Sequence, residues 1–237
     1  MNIEQQSTMQ ENTPRPFKEI PGLWLQLRNM TETFFASELP RASQGNTLYS
    51  VLISAGIASF FWFIQAIAEY FIPAITNQNI PDQSQLAAIF GSILAYPCFA
   101  LIITPISFYL SNGLIFVSAK ILGGKGKFSG QVYLYSLFFV PLGLILSLAS
   151  LFQIIPIIRP VIDYIVTAAV FIFTILFTVR IIKVAHGFTT GRALSTFLIP
   201  FALFLIPTCV IGILVLLGPA VGGVFSNIVT EINTPMP

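Results

Sequence analysis

Charge is what this chain has least of. Only 8% of its 237 residues are Asp, Glu, Lys or Arg, against about 25% in soluble globular proteins. So few polar groups cannot cover a water-facing surface, and the chain reads as an integral membrane protein. Histidine occurs once and cysteine twice. One imidazole and two thiols, Cys98 and Cys209, both inside apolar runs, exclude most metal centres and nucleophile–base pairs by count. They also argue against a disulfide framework. No cofactor is expected. A net charge of +2 gives no reason to expect nucleic acid. The first twenty residues hold no apolar core of a signal peptide, so none is expected to be cleaved. An enzyme is the least expected class, because no two catalytic side chains are placed to cooperate.

What the chain does have is long apolar runs, which give five spans at about 47–72, 86–122, 131–155, 160–184 and 194–217. As one helix the second run would be about 55 Å long, beyond a bilayer core of roughly 30 Å. It contains Pro97 and Pro105, each of which removes a backbone hydrogen bond and is expected to kink it. Charge decides whether it is one span or two. Arg15, Lys18, Arg28 and Arg41 precede the first span; Lys120, Lys125 and Lys127 follow the second; Arg180, Lys183 and Arg192 lie between the fourth and fifth. Arg159 alone falls in the third-to-fourth connection. Five spans therefore place ten basic residues on one side and one on the other, which obeys the positive-inside rule. A sixth span would break that pattern.

The expected fold is all-α: a polytopic membrane helix bundle with five transmembrane helices, a cytosolic N-terminus, an external C-terminus and a long, Pro-kinked second helix. The membrane domain covers 46–218. A disordered cytosolic tail over 1–21 and an amphipathic interfacial helix with its linker over 22–45 precede it, and an external tail over 219–237 follows. In the segment Gly22–Leu39, Leu23, Leu27, Met30 and Phe34 recur at spacings of three and four, with Arg28 and Glu32 off the stripe. That pattern suits a helix lying in the interface; the alternative is a helix packed on the cytosolic ends of the bundle. Ala87, Gly91 and Ala95, with Ser54/Ala58 and Ala55/Ser59, are expected to let the first two spans approach closely.

The lysine- and glycine-rich stretch Lys120–Gly130 superficially resembles a phosphate-binding loop. Phe128 stands where the Walker A motif needs Ser or Thr, and Ser129 where a dinucleotide fingerprint needs Gly. The stretch reads instead as a basic turn whose lysines can meet anionic headgroups. His186, in the run His-Gly-Phe-Thr-Thr-Gly-Arg that ends at Arg192, reads as a turn or helix-end residue. Glu69, Asp163 and Gln65 lie in or near the spans and are the candidates for an ion or substrate path; snorkelling to the interface is the alternative for the two acids.

Two junctions carry a resemblance. Ala119-Lys-Ile-Leu-Gly-Gly-Lys-Gly-Lys-Phe-Ser-Gly130 leads into a third span with Tyr133 and Tyr135, and Val184-Ala-His-Gly-Phe-Thr-Thr-Gly-Arg-Ala193 leads into the last. This pairing resembles the Ypt/Rab-interacting-protein (YIP) domain family in its prokaryotic form, with a Leu-Gly-Gly-x-Gly-x-Phe junction and a later His-Gly-x-x-x-Gly-x-Ala junction. The resemblance covers about residues 23–217 and implies five spans with a cytosolic N-terminus. Eukaryotic members are implicated in Rab GTPase binding, vesicle traffic and membrane shaping. Their Asp-Leu-Tyr-Gly-Pro motif does not occur in the sequence, and no long cytosolic domain is expected from the some 45 residues before the first span.

The function expected from these readings is a non-enzymatic scaffold in a prokaryotic cell membrane, organising membrane or partner proteins through a basic cytosolic face. Lys120, Lys125, Lys127, Trp24, Arg28, His186 and Arg192 are the candidates for contact with anionic lipid headgroups or another membrane protein. The alternatives are a small transporter or channel using the Pro-containing second and fifth helices, or an accessory subunit of a larger membrane complex. A polar mid-membrane cavity would favour transport; a centre filled by Phe and Leu would favour a scaffold.

Overall fold

The computed structural model describes residues 13–26, 30–76, 82–152 and 159–233. All regular structure among them is helical. A 3₁₀ turn over Phe17–Glu19 leads into α1 (Ile20–Trp24), α2 (Glu32–Glu38) and a second 3₁₀ turn over Leu39–Arg41. The long helices follow: α3 (Gln44–Thr76), α4 (Gln83–Ile121), α5 (Phe128–Leu151), α6 (Arg159–His186) and α7 (Thr190–Asn233). Five stretches within these are long and apolar enough to cross a membrane: Gln44–Ala68, Ile89–Ile121, Phe128–Leu151, Pro160–His186 and Thr190–Ile211. The expected five-helix architecture is therefore present, and α4 runs unbroken through Pro97 and Pro105.

The chain divides into two compact units, Met1–Phe197 and Leu198–Pro237. In the first, α3 packs on α4 and α5, α5 packs on α6, and the short N-terminal helices pack on α5 and α6. Their shared core gathers where α3 and α5 begin and α4 and α6 end, around Phe35, Val51, Phe108, Tyr133, Leu134, Leu137, Phe177 and Ile181. This is the basic end of the unit. The second unit is helical through Asn233, with Leu203, Val210, Ile213 and Val215 exposed.

Several expectations change. The segment Gly22–Leu39 is not one helix. Helix α1 ends at Trp24, and Thr31 is extended and caps α2 by accepting from the Phe34 N–H at 3.4 Å. Ser and Thr compete for backbone groups in this way and favour helix starts. The stripe residues Leu23 and Met30 are buried in the protein core, as are Ile20 and Phe35; the segment packs on the bundle rather than lying free in the interface. Leu27 and Arg28 lie outside the described residues. Of the tail expected to be disordered, residues 1–12 also lie outside them, whereas Phe17–Glu19 is helical and Arg15 is bonded to Glu38. The C-terminal tail expected from residue 219 is helical to Asn233, because Val221, Val224, Phe225 and Ile228 continue the helical spacing.

The small-residue stripe also behaves differently. Ala87, Gly91 and Ala95 are exposed, and a Cβ on Gly91 would meet nothing within 4 Å. Helix α3 uses its small residues on two partners instead. Ser59 Oγ donates to Pro97 O of α4 at 3.0 Å, while Ser54 faces Gly143 of α5, where an added Cβ would come within 2.7 Å of Ser54 Oγ.

Candidate basic-end site

Helices α4 and α6 both finish at the basic end, and both finish on a left-handed glycine. Gly123 has φ 84° and Gly187 has φ 69°, a region that costs a side-chain-bearing residue energy and costs glycine little. Around each, amides return to the last-turn carbonyls: Gly124 N–H to Ala119 O at 2.8 Å, and Gly187 N–H to Lys183 O at 2.8 Å. The Lys120 ammonium donates to Gly124 O at 3.1 Å and lies 5.3 Å from the centre of the Phe116 ring. A cation there also offsets the negative end of α4.

The two turns are packed against each other. A Cβ on Gly124 would sit 2.5 Å from His186 Nδ1. At Gly126 an added carbon would collide with the Ala185 carbonyl oxygen, which is backbone and cannot swing away. The second and third glycines of Leu-Gly-Gly-Lys-Gly are therefore required by contact with the Ala-His pair that ends α6.

His186 is buried, with 3% of its surface exposed. Its ring lies near-parallel to Phe188 at 5.7 Å and beside Phe116 at the same separation. His186 Nε2 is 2.9 Å from Gln131 Oε1. The Gln131 amide nitrogen donates to Asn112 O at 3.0 Å, and Asn112 Nδ2 donates to Phe108 O at 2.9 Å. Because Gln131 spends its N–H on Asn112, its oxygen accepts from His186, which sets the proton on Nε2. The Nδ1 lone pair then faces the glycines with no hydrogen-bond partner among the described residues. This relay ties α4, α5 and α6 together inside an otherwise apolar layer.

A second polar cluster fastens the N-terminal segment. Glu38 is 2% exposed, and a buried carboxylate needs partners. Arg15 supplies Nε–H at 3.0 Å and a second donor from Nη2, and Tyr133 Oη donates at 3.1 Å. Arg41 Nη1 lies 3.9 Å from the same carboxylate. Hydrogen bonding to Glu38 pushes the Arg15 guanidinium further toward its charged form. Asn46 Nδ2 donates to Arg15 O at 3.0 Å, so the same residue is held by α3. Farther along, Lys183 pairs with Glu32 at 2.6 Å, and Arg180 reaches toward Met30 O at 3.5 Å.

These bonds sort the candidate residues. His186 and Lys120 are structural parts of the junction. Trp24 is half-buried, near-parallel to Tyr49 with ring centres 6.3 Å apart, and its Nε1 is buried without a partner among the described residues. Lys125, Lys127 and Arg192 are exposed. Arg28 lies outside the described residues, as do the side chains of Glu69 and Asp163. Gln65 is half-buried in α3. Glu38, Arg15, Tyr133, Gln131 and Asn112 were not among the sequence-based candidates. The sequence carried little signal for them: Asn112 lies between Ser111 and Gly113, and Gln131 directly follows the polar stretch that ends at Gly130.

Beside the junction is a cavity of about 340 Å³. Leu39, Pro40 and Ala42 form one wall, and Lys125–Lys127 with Ser129 and Gly130 form the other. In the membrane layer a second cavity of about 190 Å³ lies between α5 and α6. Its lining is apolar, including Phe138, Leu142, Ile165 and Phe173. Among the described residues no cluster of three or more His, Cys, Asp or Glu could hold a metal ion.

No curated protein and no solved structure matches the chain significantly. A family model does: the Yip1 domain matches residues 28–227, and both glycine turns, His186 and the relay behind them fall inside that match. By that match, the chain belongs to the Yip1 domain family.

Proposed function

We propose that this membrane protein is a non-enzymatic scaffold that holds anionic membrane, or an acidic membrane-protein partner, at its basic end, and that this end is cytosolic in a prokaryotic cell membrane. The observation that carries the reading is how the cations are divided. Arg15 and Lys183 are ion-paired within the fold, and Lys120, although exposed, donates to Gly124 O, whereas Lys125, Lys127 and Arg192 are exposed around the junction. Cations fixed at a membrane surface attract anionic headgroups by about 1 kcal/mol each. The distribution of Arg and Lys supports the cytosolic assignment through the positive-inside rule. The apolar lining of the cavity between α5 and α6 favours a scaffold over transport, since an ion crossing there would meet no polar group.

The test is lipid retention. Wild type and the Lys125→Gln/Lys127→Gln variant are purified from the same mixed membranes, and the co-purifying lipid is counted. The variant is expected to keep its thermal midpoint and to retain several-fold less anionic lipid than wild type. Equal retention would overturn the reading.

A further inference from the structure

We propose that the apolar cavity between α5 and α6 holds one acyl chain of a bilayer phospholipid whose phosphate is bound by Arg180. This goes beyond the basic-face reading. It concerns a different cation and a single lipid within the membrane layer, and it does not depend on Lys125 or Lys127.

The chemistry of the cavity selects hydrocarbon. Its volume is about 190 Å³ and its lining side chains are all apolar. A water molecule needs at least two polar partners to stay in such a space and finds none there. Left empty, the cavity would forfeit the dispersion contacts of its walls. Ile145 of α5, with Ile165 and Phe173 of α6, lines the cavity and is also exposed at the protein surface. A chain can therefore enter sideways from the bilayer. From Ile165 to Phe177 the lining follows α6 for about 18 Å along its axis, more than half of a hydrocarbon core of roughly 30 Å.

The same wall places the cation. Phe177 stacks on Phe138 with ring centres 4.5 Å apart, and it is the lining residue of α6 nearest the basic end. The Arg180 guanidinium lies over that ring, 5.5 Å from its centre. Because α6 ends at His186, Arg180 sits about 9 Å inside the basic end, between that surface and the cavity. It is half-buried, and a cation at such a place is costly unless paired. Its one hydrogen bond, from Nη1 to Met30 O, is long at 3.5 Å. Among the described residues no carboxylate pairs with it; Glu32 is bonded to Lys183 instead. A guanidinium carries five donors in a planar fork that matches phosphate oxygens. A lipid phosphate at the mouth of the cavity supplies the missing partner while its chain fills the space below.

The full chain, delipidated in a neutral detergent, is titrated with three probes, and bound equivalents are counted by native mass spectrometry. The probes are dioleoyl phosphatidylglycerol, its short-chain counterpart dihexanoyl phosphatidylglycerol, and dioleoylglycerol, which has the chains without the phosphate. The first should saturate at one tight equivalent, and the other two should bind at least about tenfold more weakly. Ala169→Phe fills the cavity at an exposed position without changing charge, and Arg180→Gln removes the cation. Each should keep its thermal midpoint in detergent alone and lose the tight equivalent. Ala169→Leu, a smaller filler, should weaken binding in the same direction and keeps the test intact where the Phe variant does not fold. Non-saturating binding, equal affinity for the three probes, or a wild-type equivalent in both Ala169→Leu and Arg180→Gln would overturn the site. Lys125→Gln/Lys127→Gln should keep the tight equivalent while losing loosely held anionic lipid. If that variant alone loses lipid, the cavity fails and the basic-face reading stands. If only the Ala169 and Arg180 variants lose lipid, the cavity stands and the basic-face reading fails. If none changes anything, both fail.

Discussion

At the basic end of the first unit the helices are closely fitted; toward their other ends they are not. Gly130 through Phe138 of α5 are buried almost without a break, whereas Leu144, Ile145, Leu146 and Leu148 of the same helix are 40–47% exposed. Helix α6 repeats the contrast in reverse chain order: Phe171, Ile172 and Phe173 are exposed, and Phe177, Ile181, Ile182 and His186 are buried. The difference lies in what fills the gaps. Hydrocarbon chains solvate Leu and Phe as well as another helix does, so apolar side chains alone give helices little reason to choose a partner in a membrane. Specific fit at the basic end comes from glycines in backbone contact and from buried polar groups with defined partners. The exposed apolar halves then serve as the lipid-facing belt.

The contrast can be broken most severely at Gly126. Its missing Cβ makes room for the Ala185 carbonyl, so Gly126→Ala must separate the two turns. A loss of about 3 kcal/mol is expected, at the upper end for overpacking, visible as a large drop in the thermal midpoint of the purified protein. Glu38→Gln comes next. It removes the charge that holds Arg15 and Tyr133, and because Arg15 is 24% exposed and can partly rehydrate, a cost of ~2 kcal/mol is expected, below the range for a fully buried pair. Limited proteolysis before residue 44 should accelerate in this variant if the N-terminal segment is released. The smallest effect belongs to the other region: Gly91→Ala, where the new methyl meets nothing, should leave the midpoint unchanged or raise it slightly through helix propensity. A drop comparable to that of Gly126→Ala would erase the distinction between the two ends.

Much of the architecture was legible in the residues. The lengths of the apolar runs and the placement of eleven basic residues were enough for five spans, because a bilayer imposes length and charge rules that act locally along the chain. The site was only half legible. Lys120–Gly130 and His186 stood out as interruptions, but their contact across about 60 residues could not be read from spacing, and the glycines read as parts of a turn rather than as points of close approach. Glu38 was hidden because a carboxylate in a polar-looking N-terminal segment gives no local sign of burial; its partners Arg15 and Tyr133 lie 23 and 95 residues away. The amphipathic stripe over Leu23–Phe34 was visible, yet a stripe says that a face is covered without saying whether lipid or protein covers it.

Amide hydrogen exchange of the full chain in nanodiscs of neutral lipid, and then of neutral lipid mixed with phosphatidylglycerol, most directly tests whether the basic end is a preformed platform for anions. The expected result is slow exchange at Gly124 and Gly187–Phe188 in neutral lipid, since those amides are bonded within the docked turns, with further slowing at Lys125 and Lys127 only when the anionic lipid is present. Fast exchange throughout 123–130 and 187–188 in neutral lipid, with no change at Lys125 or Lys127 on adding phosphatidylglycerol, would contradict it.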